Sequence, residues 1–453
     1  MVDRKKKTKI CHKKASHKEE DRLSQLPEPL ICEILYHLST KDAVRTSVLS
    51  TRSRYLWQSV PGLDLGFISF SKFDDFVSFV ERFFIFHRES WIRKLRLSFY
   101  RHCMYDLASW IDAVTTRRIQ HLDIYGDDKI PLSLYTCETL VHLRLFEVTL
   151  PNAEFVSLPC LKIMHLLHNT YPNETTLQKL ISGSPVLEDL TIFRDSKKVD
   201  KPNVLQLRSL TLKRICIYDQ FTQVVIDAPL LQCLRTSVSS PKNFQIVNLG
   251  SSSRLDIDFP FSYETYSSSM IHDILTDISR VRDLVISNGI WKGIFQYSKS
   301  GPLLQFRDLS RLNVEFSKFD LETLPTLLES CPKLESLVMK LVRDESMRGK
   351  KKTEPKLMFS TTVPQCLVSS LKFVEWKRSI AGYEGELELV RYFLKNSKIL
   401  EKLRLDVYYA EKAKCAFLQE LLTMPRCSSV CQLHCSLIRK IGNTWYDLFG
   451  SLN

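Results

Sequence analysis

The sequence has few of the residues and motifs on which enzyme active sites and membrane anchors depend. Glycine accounts for only 13 of 453 residues, and there is no glycine-rich phosphate loop, HExxH helix, GxSxG elbow or kinase motif set. No apolar run approaches the roughly eighteen residues of a membrane span, and the basic N-terminal run lacks the apolar segment of a secretory signal. We therefore expect a non-catalytic protein that uses no cofactor.

Paired cysteine motifs are also missing, although the chain contains 13 cysteines. Their odd number, their scattered positions and their apolar neighbours indicate reduced intracellular thiols rather than a disulfide framework. The strongest candidate metal ligands are Cys427, Cys431, His434 and Cys435. Their spacing does not match that of zinc sites, so we expect no metal there.

Positive charge is concentrated at the N-terminus. Residues 1–18 carry +7 of the net charge of +13, which leaves +6 for the other 435 residues. We therefore do not expect the remaining 435 residues to form a nucleic-acid-binding domain. Residues 1–20 are predicted to form a basic, disordered arm, for which a nuclear localisation signal and a simple solvated tail remain equal alternatives. The expected location is the nucleus, the cytoplasm or both.

The most informative stretch covers residues 21–65. Pro27 and Pro29 stand where a helix would begin. Proline is tolerated there because the N–H that it lacks has no partner in the first turn of a helix. Ser39 precedes Asp42 by three residues, a spacing that predicts the cap of a second helix. An apolar stripe typical of one helix face comprises Leu30, Ile31, Ile34, Leu35 and Leu38. Three short helices cannot bury this much apolar surface among themselves, so part of it must meet a partner.

This pattern resembles the F-box of plant F-box/leucine-rich-repeat proteins, with Ser53 where the family usually has Trp. The resemblance is carried by Leu26-Pro27, Leu30-Ile31, Ile34-Leu35, Leu38, Lys41 to Ser47, Val48-Leu49-Ser50, Arg52 and Trp57. It implies binding to a Skp-type adaptor and, through it, to a cullin–RING ubiquitin ligase. The implied adaptor surface, or its immediate support, comprises Leu26, Pro27, Ile31, Ile34, Leu35, Leu38, Val44, Leu49 and Trp57. An ordinary three-helix cap on the following repeats is the alternative interpretation.

A six-residue pattern, apolar-x-x-Leu-x-apolar, recurs after an amphipathic helix predicted over residues 73–86 and a second helix over 107–114. The interval is mostly about twenty to twenty-nine residues, as in leucine-rich repeats. Each copy predicts a short strand with two inward side chains, and stacked copies predict a curved parallel sheet with a concave binding surface. The strands are predicted at Leu95-x-Leu97, Leu122-x-Ile124, Leu143-x-Leu145, Leu190-x-Ile192, Leu210-x-Leu212, Leu284-x-Ile286, Leu312-x-Val314, Leu337-x-Met339 and Leu403-x-Leu405, with weaker copies near Leu166, Thr236, Ile257 and Phe373.

The last part of the chain resembles the FBD domain of the same plant family, with a helix expected over residues 388–396. The residues that carry this resemblance are Leu371 to Trp376, Gly382, Gly385, Glu388 to Val390, Tyr392 to Asn396 and Leu400 to Leu403. The predicted fold class is α/β: an all-helical F-box, then a curved leucine-rich-repeat solenoid with a C-terminal FBD-type unit. The predicted divisions are a basic arm (1–20), the F-box (21–65), the repeats (66–342), a charged loop (343–362) and the FBD-type region (363–453).

The resemblance implies a substrate-recognition subunit of a Skp–cullin–F-box ubiquitin ligase, in which the repeats bind a protein substrate and other subunits supply the catalysis. Two alternatives remain. One is a repeat scaffold that binds a protein without ubiquitin transfer. The other is a small-molecule sensor, which the sequence disfavours because no aromatic or basic cluster marks a pocket.

Overall fold

The computed structural model divides the chain into two compact units, Met1–Phe99 and Tyr100–Asn453. No helix in the described part of the chain is long and apolar enough to cross a bilayer. The predicted basic arm and charged loop lie outside the described residues. The structure describes residues 25–87, 91–99, 107–173, 175–194, 204–219, 223–238, 244–249, 254–258, 281–291, 305–317, 321–342, 363–377, 384–407 and 418–437.

The first unit begins with short helices and ends with a pair of parallel strands. Its elements are α1 (Glu28–Tyr36), α2 (Thr40–Arg45), 3₁₀ segments at Thr46–Val48, Ser53–Ser59 and Phe67–Ser69, β1 (Gly62–Gly66), α3 (Phe73–Phe86) and β2 (Lys94–Ser98). The helix predicted over residues 73–86 is confirmed. The α2 helix stops at Arg45, and the next residue, Thr46, donates a hydrogen bond from its Oγ1 to the Ala43 carbonyl.

Strand β1 lies within the segment that the sequence assigned to the F-box. Leu63 and Leu65 of β1 are buried and lie in register with Leu95 and Leu97 of β2. The strand ladder therefore begins one strand earlier than the sequence predicted. The GLDLG segment has the alternation of a strand, but it is only five residues long.

The second unit is a ladder of parallel strands. In chain order these are β3 (His121–Tyr125), β4 (His142–Phe146), β5 (Ile163–Leu167), β6 (Asp189–Phe193), β7 (Val204–Arg208), β8 (Arg214–Asp219), β9 (Gln223–Ala228), β10 (Cys233–Val238), β11 (Phe244–Leu249), β12 (Arg254–Asp258), β13 (Asp283–Ile286), β14 (Arg311–Ser317), β15 (Ser336–Val342), β16 (Phe373–Lys377), β17 (Lys402–Val407) and β18 (Gln432–Leu437). Within this unit the main sheet runs from β3 to β18 in chain order and omits β7, β9 and β11. These repeated strands, together with the helical N-terminus, confirm the α/β class.

The three omitted strands form a second parallel sheet in the order β11–β9–β7. Elsewhere the chain returns between strands through α4 (Leu107–Thr115), a 3₁₀ segment (Leu132–Thr136), α5 (Thr175–Ser182), α6 (Leu324–Ser330), α7 (Gln365–Ser369) and α8 (Glu384–Asn396). The α8 helix begins four residues before the predicted start at residue 388. The second sheet was not predicted, because each of its strands lies between two copies of the main repeat.

Two predicted strand positions were wrong. Leu210 is 75% exposed and precedes β8, whose inward residues are Ile215 and Ile217. The apolar-x-x-Leu-x-apolar repeat has Leu at the first inward position, whereas β8 has isoleucine at both inward positions. At β16 the inward residues are Val374 and Trp376, whereas Phe373 lies on the other strand face.

The inward strand positions build the core of the second unit. They stay in register from coil to coil, as in the series Leu122, Leu143, Met164 and Leu190 on β3 to β6. All four side chains are fully buried. The alternate positions form a second strand face, called here the open face, which presents polar, charged and aromatic side chains.

Candidate functional site

Helix α1 positions the first group of candidate residues. Pro27 is its N-cap residue, and the Pro27 carbonyl accepts hydrogen bonds from the amides of Leu30 at 3.0 Å and Ile31 at 3.2 Å. On the inner side of α1, Leu35 joins a core with Ala43, Leu56, Val60 and four partly buried side chains, Ile31, Cys32, Tyr36 and Trp57. The helix is thus fixed by one face and leaves the other available.

The outer side of these helices presents an unusual amount of apolar surface. On α1 Leu30 and Ile34 are 53% and 45% exposed, and just after the helix Leu38 is 37% exposed. After α2, Val48 and Leu49 are 84% and 77% exposed. We call these five side chains the apolar surface. Exposed large apolar side chains in this number mark interaction sites in soluble proteins.

A network of polar contacts fixes the turn between α1 and α2. The Asp42 amide donates a hydrogen bond to Ser39 Oγ at 3.2 Å, which confirms the predicted cap of α2. Ser39 Oγ in turn donates to Asp42 Oδ2 at 2.7 Å, and Arg45 Nη1 donates to Asp42 Oδ1 at 3.1 Å. The hydrogen bond from Ser39 lowers the pKa of the Asp42 carboxyl. The Asp42 carboxylate therefore stays ionised to a lower pH than an unperturbed aspartate would.

Arg52 links the segment after Leu49 to the start of α1. Its Nη2 donates to the Leu26 carbonyl at 2.8 Å, and its Nε lies 3.7 Å from Glu28 Oε1. The neighbouring Ser53 amide donates to Ser50 Oγ at 3.0 Å. Ser53 therefore contributes a hydrogen-bonded turn at the position where the F-box family that this segment resembles usually has Trp.

The nine predicted adaptor-site residues have different environments. Leu35 is only 4% exposed, and Trp57 packs on the same core and stacks against Phe79 of α3, with 6.1 Å between ring centroids. These two side chains support the helices from within. Leu26, Ile31 and Val44 are half-buried, and Pro27, Ile34, Leu38 and Leu49 are exposed. The prediction omitted Leu30 and Val48, which the structure places on the apolar surface.

The helices are joined firmly to the first strands of the same unit. Arg93 Nη2 donates to Glu33 Oε2 at 2.9 Å, and its guanidinium carbon lies 4.7 Å from the ring centroid of Tyr36. Between the two strands, Lys94 Nζ of β2 donates to Asp64 Oδ2 of β1 at 2.7 Å. Helix α1, which carries part of the apolar surface, is thus attached through Glu33 and Tyr36 to Arg93, the residue before β2.

The second unit has its own cluster of polar side chains on the open face. His121, His142 and His165 occupy β3, β4 and β5, with 5.8 Å and 5.7 Å between successive ring centroids. His165 Nε2 lies 3.7 Å from Asp189 Oδ1, and Arg214 Nε donates to Asp189 Oδ2 at 2.7 Å. Burial lowers the pKa of His142 to about 4, assisted by electrostatic repulsion from His165, His121 and Arg144 when His142 takes up a proton. This part of the open face therefore disfavours an additional positive charge.

A row of rings in mutual contact lies at the carboxyl ends of the same strands. The centroid distances are 4.2 Å from Tyr125 to Phe146, 5.3 Å from Phe146 to His168, 4.4 Å from His168 to Phe193 and 5.5 Å from Phe193 to Tyr218. We call these five residues the aromatic row. The sequence by itself does not reveal this row. The five positions are distant in sequence, and only the strand register brings them together.

The turns after β4 and β5 hold this row in place. Glu147 and His168 have positive φ angles of 57° and 56°. The buried Asn169 stabilises the turn after β4, because it accepts a hydrogen bond from the Val148 amide and donates one to the Leu145 carbonyl, both at 3.0 Å. Backbone in this left-handed region is costly for residues other than glycine and is kept only where its surroundings enforce it.

The predicted candidate metal ligands are not brought together as a site. Cys431 is buried, whereas Cys427 and Cys435 are exposed. Within the described ranges, no three His, Cys, Asp or Glu side chains are placed to hold a metal ion.

Three protein-family models match separate parts of the chain. An F-box domain model matches residues 23–64, and an FBD model matches residues 360–405. Between them, a model of the leucine-rich repeats of FBD-associated F-box protein At5g56370 matches residues 107–259.

Full-length relatives have the same combination of domains. The chain is 66% identical to the F-box/FBD/LRR-repeat protein At1g51370 of Arabidopsis thaliana over 436 residues, which cover 95% of this chain and 99% of that protein. It is 50% identical to the F-box/FBD/LRR-repeat protein At5g53840 of the same plant, over 94% of this chain and 98% of that protein. A third, the putative F-box/FBD/LRR-repeat protein At2g05300, is 41% identical over 92% of this chain and 97% of that protein.

Proposed function

The chain belongs to the plant F-box/FBD/LRR-repeat protein family, and on this premise we propose that it is the substrate-recognition subunit of a Skp–cullin–F-box ubiquitin ligase. The observation that carries the proposal is the apolar surface on the F-box helices, where Val48 is 84% and Leu49 is 77% exposed. Burying such side chains against an adaptor would gain about 1.5–3 kcal/mol for each one fully removed from water.

In this function the chain is a receptor and not a catalyst. The F-box would hold the Skp-type adaptor, and the repeats would hold a protein substrate. Catalysis would result from proximity, because the complex raises the effective concentration of a substrate lysine near a ubiquitin-charged enzyme on other subunits. No cofactor of this chain takes part.

We assign two roles to the predicted adaptor residues. Pro27, Ile34, Leu38 and Leu49 would contact the adaptor, together with the exposed parts of Leu26, Ile31 and Val44. Leu35 and Trp57 would hold the helices in position from the core side. Truncation of a central contact should cost about 2 kcal/mol or more of binding free energy, as at other interface hot spots.

The test is co-purification of the full chain with a Skp-type adaptor. An Ile34→Glu/Leu49→Glu variant should lose stoichiometric binding, because two carboxylates would be buried without partners. The matched control is Ile68→Glu, since Ile68 is 92% exposed in the same unit but lies outside α1 and α2. Equal binding by the double variant, folded as judged by its circular dichroism, would refute the assigned surface.

A repeat scaffold without ubiquitin transfer is the second candidate, and Ser53 is the observation that favours it. Its hydroxyl-bonded turn replaces an apolar side chain at the F-box surface. If the intact chain does not bind the adaptor, or if its bound partner keeps a constant level when cullin–RING ligases are inhibited, the scaffold function is favoured.

A further inference from the structure

We propose that the open face of β3 to β8 recognises an extended acidic segment of the captured protein, with apolar side chains along the aromatic row and a carboxylate paired with Arg144. This inference rests on the proposed function, since it describes which segment of a substrate the repeats would bind.

The shape of the aromatic row suits a chain rather than a flat small molecule. Successive rings already contact one another at 4.2–5.5 Å between centroids, so no slot remains between them for a planar ligand. The row crosses five neighbouring strands, which corresponds to about 19 Å at about 4.8 Å per strand. An extended peptide of about six residues has this length, at about 3.3 Å per residue.

Packing of the solenoid does not require aromatic residues in this column. The equivalent strand positions further along the ladder are Ser237 on β10, Glu315 on β14 and Lys340 on β15. The five rings of the aromatic row are half-buried, so each retains accessible surface. The concentration of rings on β3 to β8 therefore indicates a local function in binding.

One member of the row reaches it through an uncommon backbone conformation. On β5 the strand residue at this position is Leu167, which is only 5% exposed. The next residue, His168, has a φ of 56°, and its ring centroid lies 4.4 Å from that of Phe193 and 5.3 Å from that of Phe146. The left-handed turn thus supplies the ring that the strand itself lacks and keeps the aromatic surface continuous.

One cation beside the row, Arg144, is available to an acidic partner. Arg144 lies two residues before Phe146 on the same face of β4 and is half-buried. Arg214 and Arg235, on β8 and β10, bond to Asp189 and Asp256 at 2.7 Å and 2.8 Å. Arg144 forms no ion pair with any residue that the structure describes, including Asp123, its neighbour in register on β3. A carboxylate of the bound segment would supply that missing partner.

The probe for this inference is a phage library of random twelve-residue peptides, selected on the full chain bound to its Skp-type adaptor. We expect enriched peptides to contain apolar or aromatic residues with an Asp or Glu beside them. Fluorescence anisotropy with one enriched peptide should show about tenfold or greater weakening in Arg144→Gln, since truncating one partner of a poorly solvated charge pair is costly. Arg404→Gln is the matched control, because Arg404 occupies the equivalent position on β17.

A second pair of variants tests the aromatic row. Phe193→Leu should weaken the same peptide several-fold, whereas Phe373→Leu, on the open face of β16, should not. A charge exchange completes the design: a peptide with Lys in place of the acid should bind Arg144→Glu better than it binds the wild-type chain.

The inference is wrong if selection yields no binding peptide, if the enriched peptides lack an acid, or if Arg144→Gln and Arg404→Gln bind equally well. Adaptor binding is measured on the same preparations. Because Arg144 and Phe193 lie outside the F-box, their variants should retain the adaptor. Loss of peptide binding with adaptor retained therefore tests this inference alone, and failure of the wild-type chain to bind adaptor counts against the proposed function.

Discussion

Replacing Asn169 by alanine should open the turn that holds the aromatic row. The side chain of Asn169 accepts from the Val148 amide and donates to the Leu145 carbonyl, both at 3.0 Å. Leu145 and Val148 are fully buried, and Asn169 is 7% exposed. In Asn169→Ala, the Val148 amide loses its side-chain partner and the Leu145 carbonyl loses a hydrogen bond, at a place that water reaches poorly.

The expected cost follows from these two bonds. A buried polar group left without its hydrogen bond costs about 1–3 kcal/mol, so the unpaired Val148 amide, together with the weakened bonding of the Leu145 carbonyl, should destabilise the turn by about 3 kcal/mol. Since about 1.4 kcal/mol corresponds to a factor of ten, the Val148 amide should exchange with solvent about a hundredfold faster.

Hydrogen exchange of the full chain, followed by mass spectrometry of the peptides that cover β4 and its turn, measures this change directly. The matched control is Asn248→Ala on β11, because the Asn248 side chain is exposed and bonds only to Asp227 Oδ1 within the described part of the chain. Unchanged exchange around Val148 in Asn169→Ala would refute the assigned role of Asn169.

Two further predictions concern the F-box core and the histidines of the open face. Leu35→Ala should destabilise the first unit by about 3 kcal/mol through loss of packing, whereas Ile34→Ala should change its stability by less than about 0.5 kcal/mol. Urea denaturation measures both changes. Equal effects of the two substitutions would contradict the inward position of Leu35. The pKa of His142 is lowered to about 4 by burial, below the value of about 6.5 expected in the unfolded chain. Stability should therefore fall as the pH drops from about 6.5 towards 4, because the unfolded chain then binds a proton that the folded chain does not. His142→Gln should flatten thermal melting profiles over that range, and an unchanged slope would count against this assignment.

Local patterns in the sequence predicted the elements that depend on near neighbours. The α3 helix was predicted with its exact bounds because seven apolar residues repeat with helical spacing over residues 73–86. The cap at Ser39 needs only Asp42, three residues away. Most main-sheet strands were located because two leucine-type residues alternate within five positions.

Features that depend on distant residues could not be predicted in this way. Val224 and Ile226 of β9 look like another repeat strand, and only their pairing with β7 and β11 places them in a second sheet. The inward orientation of Trp57 depends on Phe79 in the following helix. The aromatic row depends on the register of five coils. Its first and last members, Tyr125 and Tyr218, are 93 positions apart in the sequence, so no local pattern connects them.

The parallel ladder also has a consequence for how such proteins diversify. Each coil contacts chiefly its immediate neighbours, so a duplicated or deleted coil shifts everything beyond it by one strand spacing of about 4.8 Å. Such an event between β4 and β6 would lengthen or shorten the distance from Arg144 to Phe193 and leave the helices that carry Ile34 and Leu49 untouched. Gene duplication could thus change what the repeats recognise while the attachment through the F-box is inherited intact.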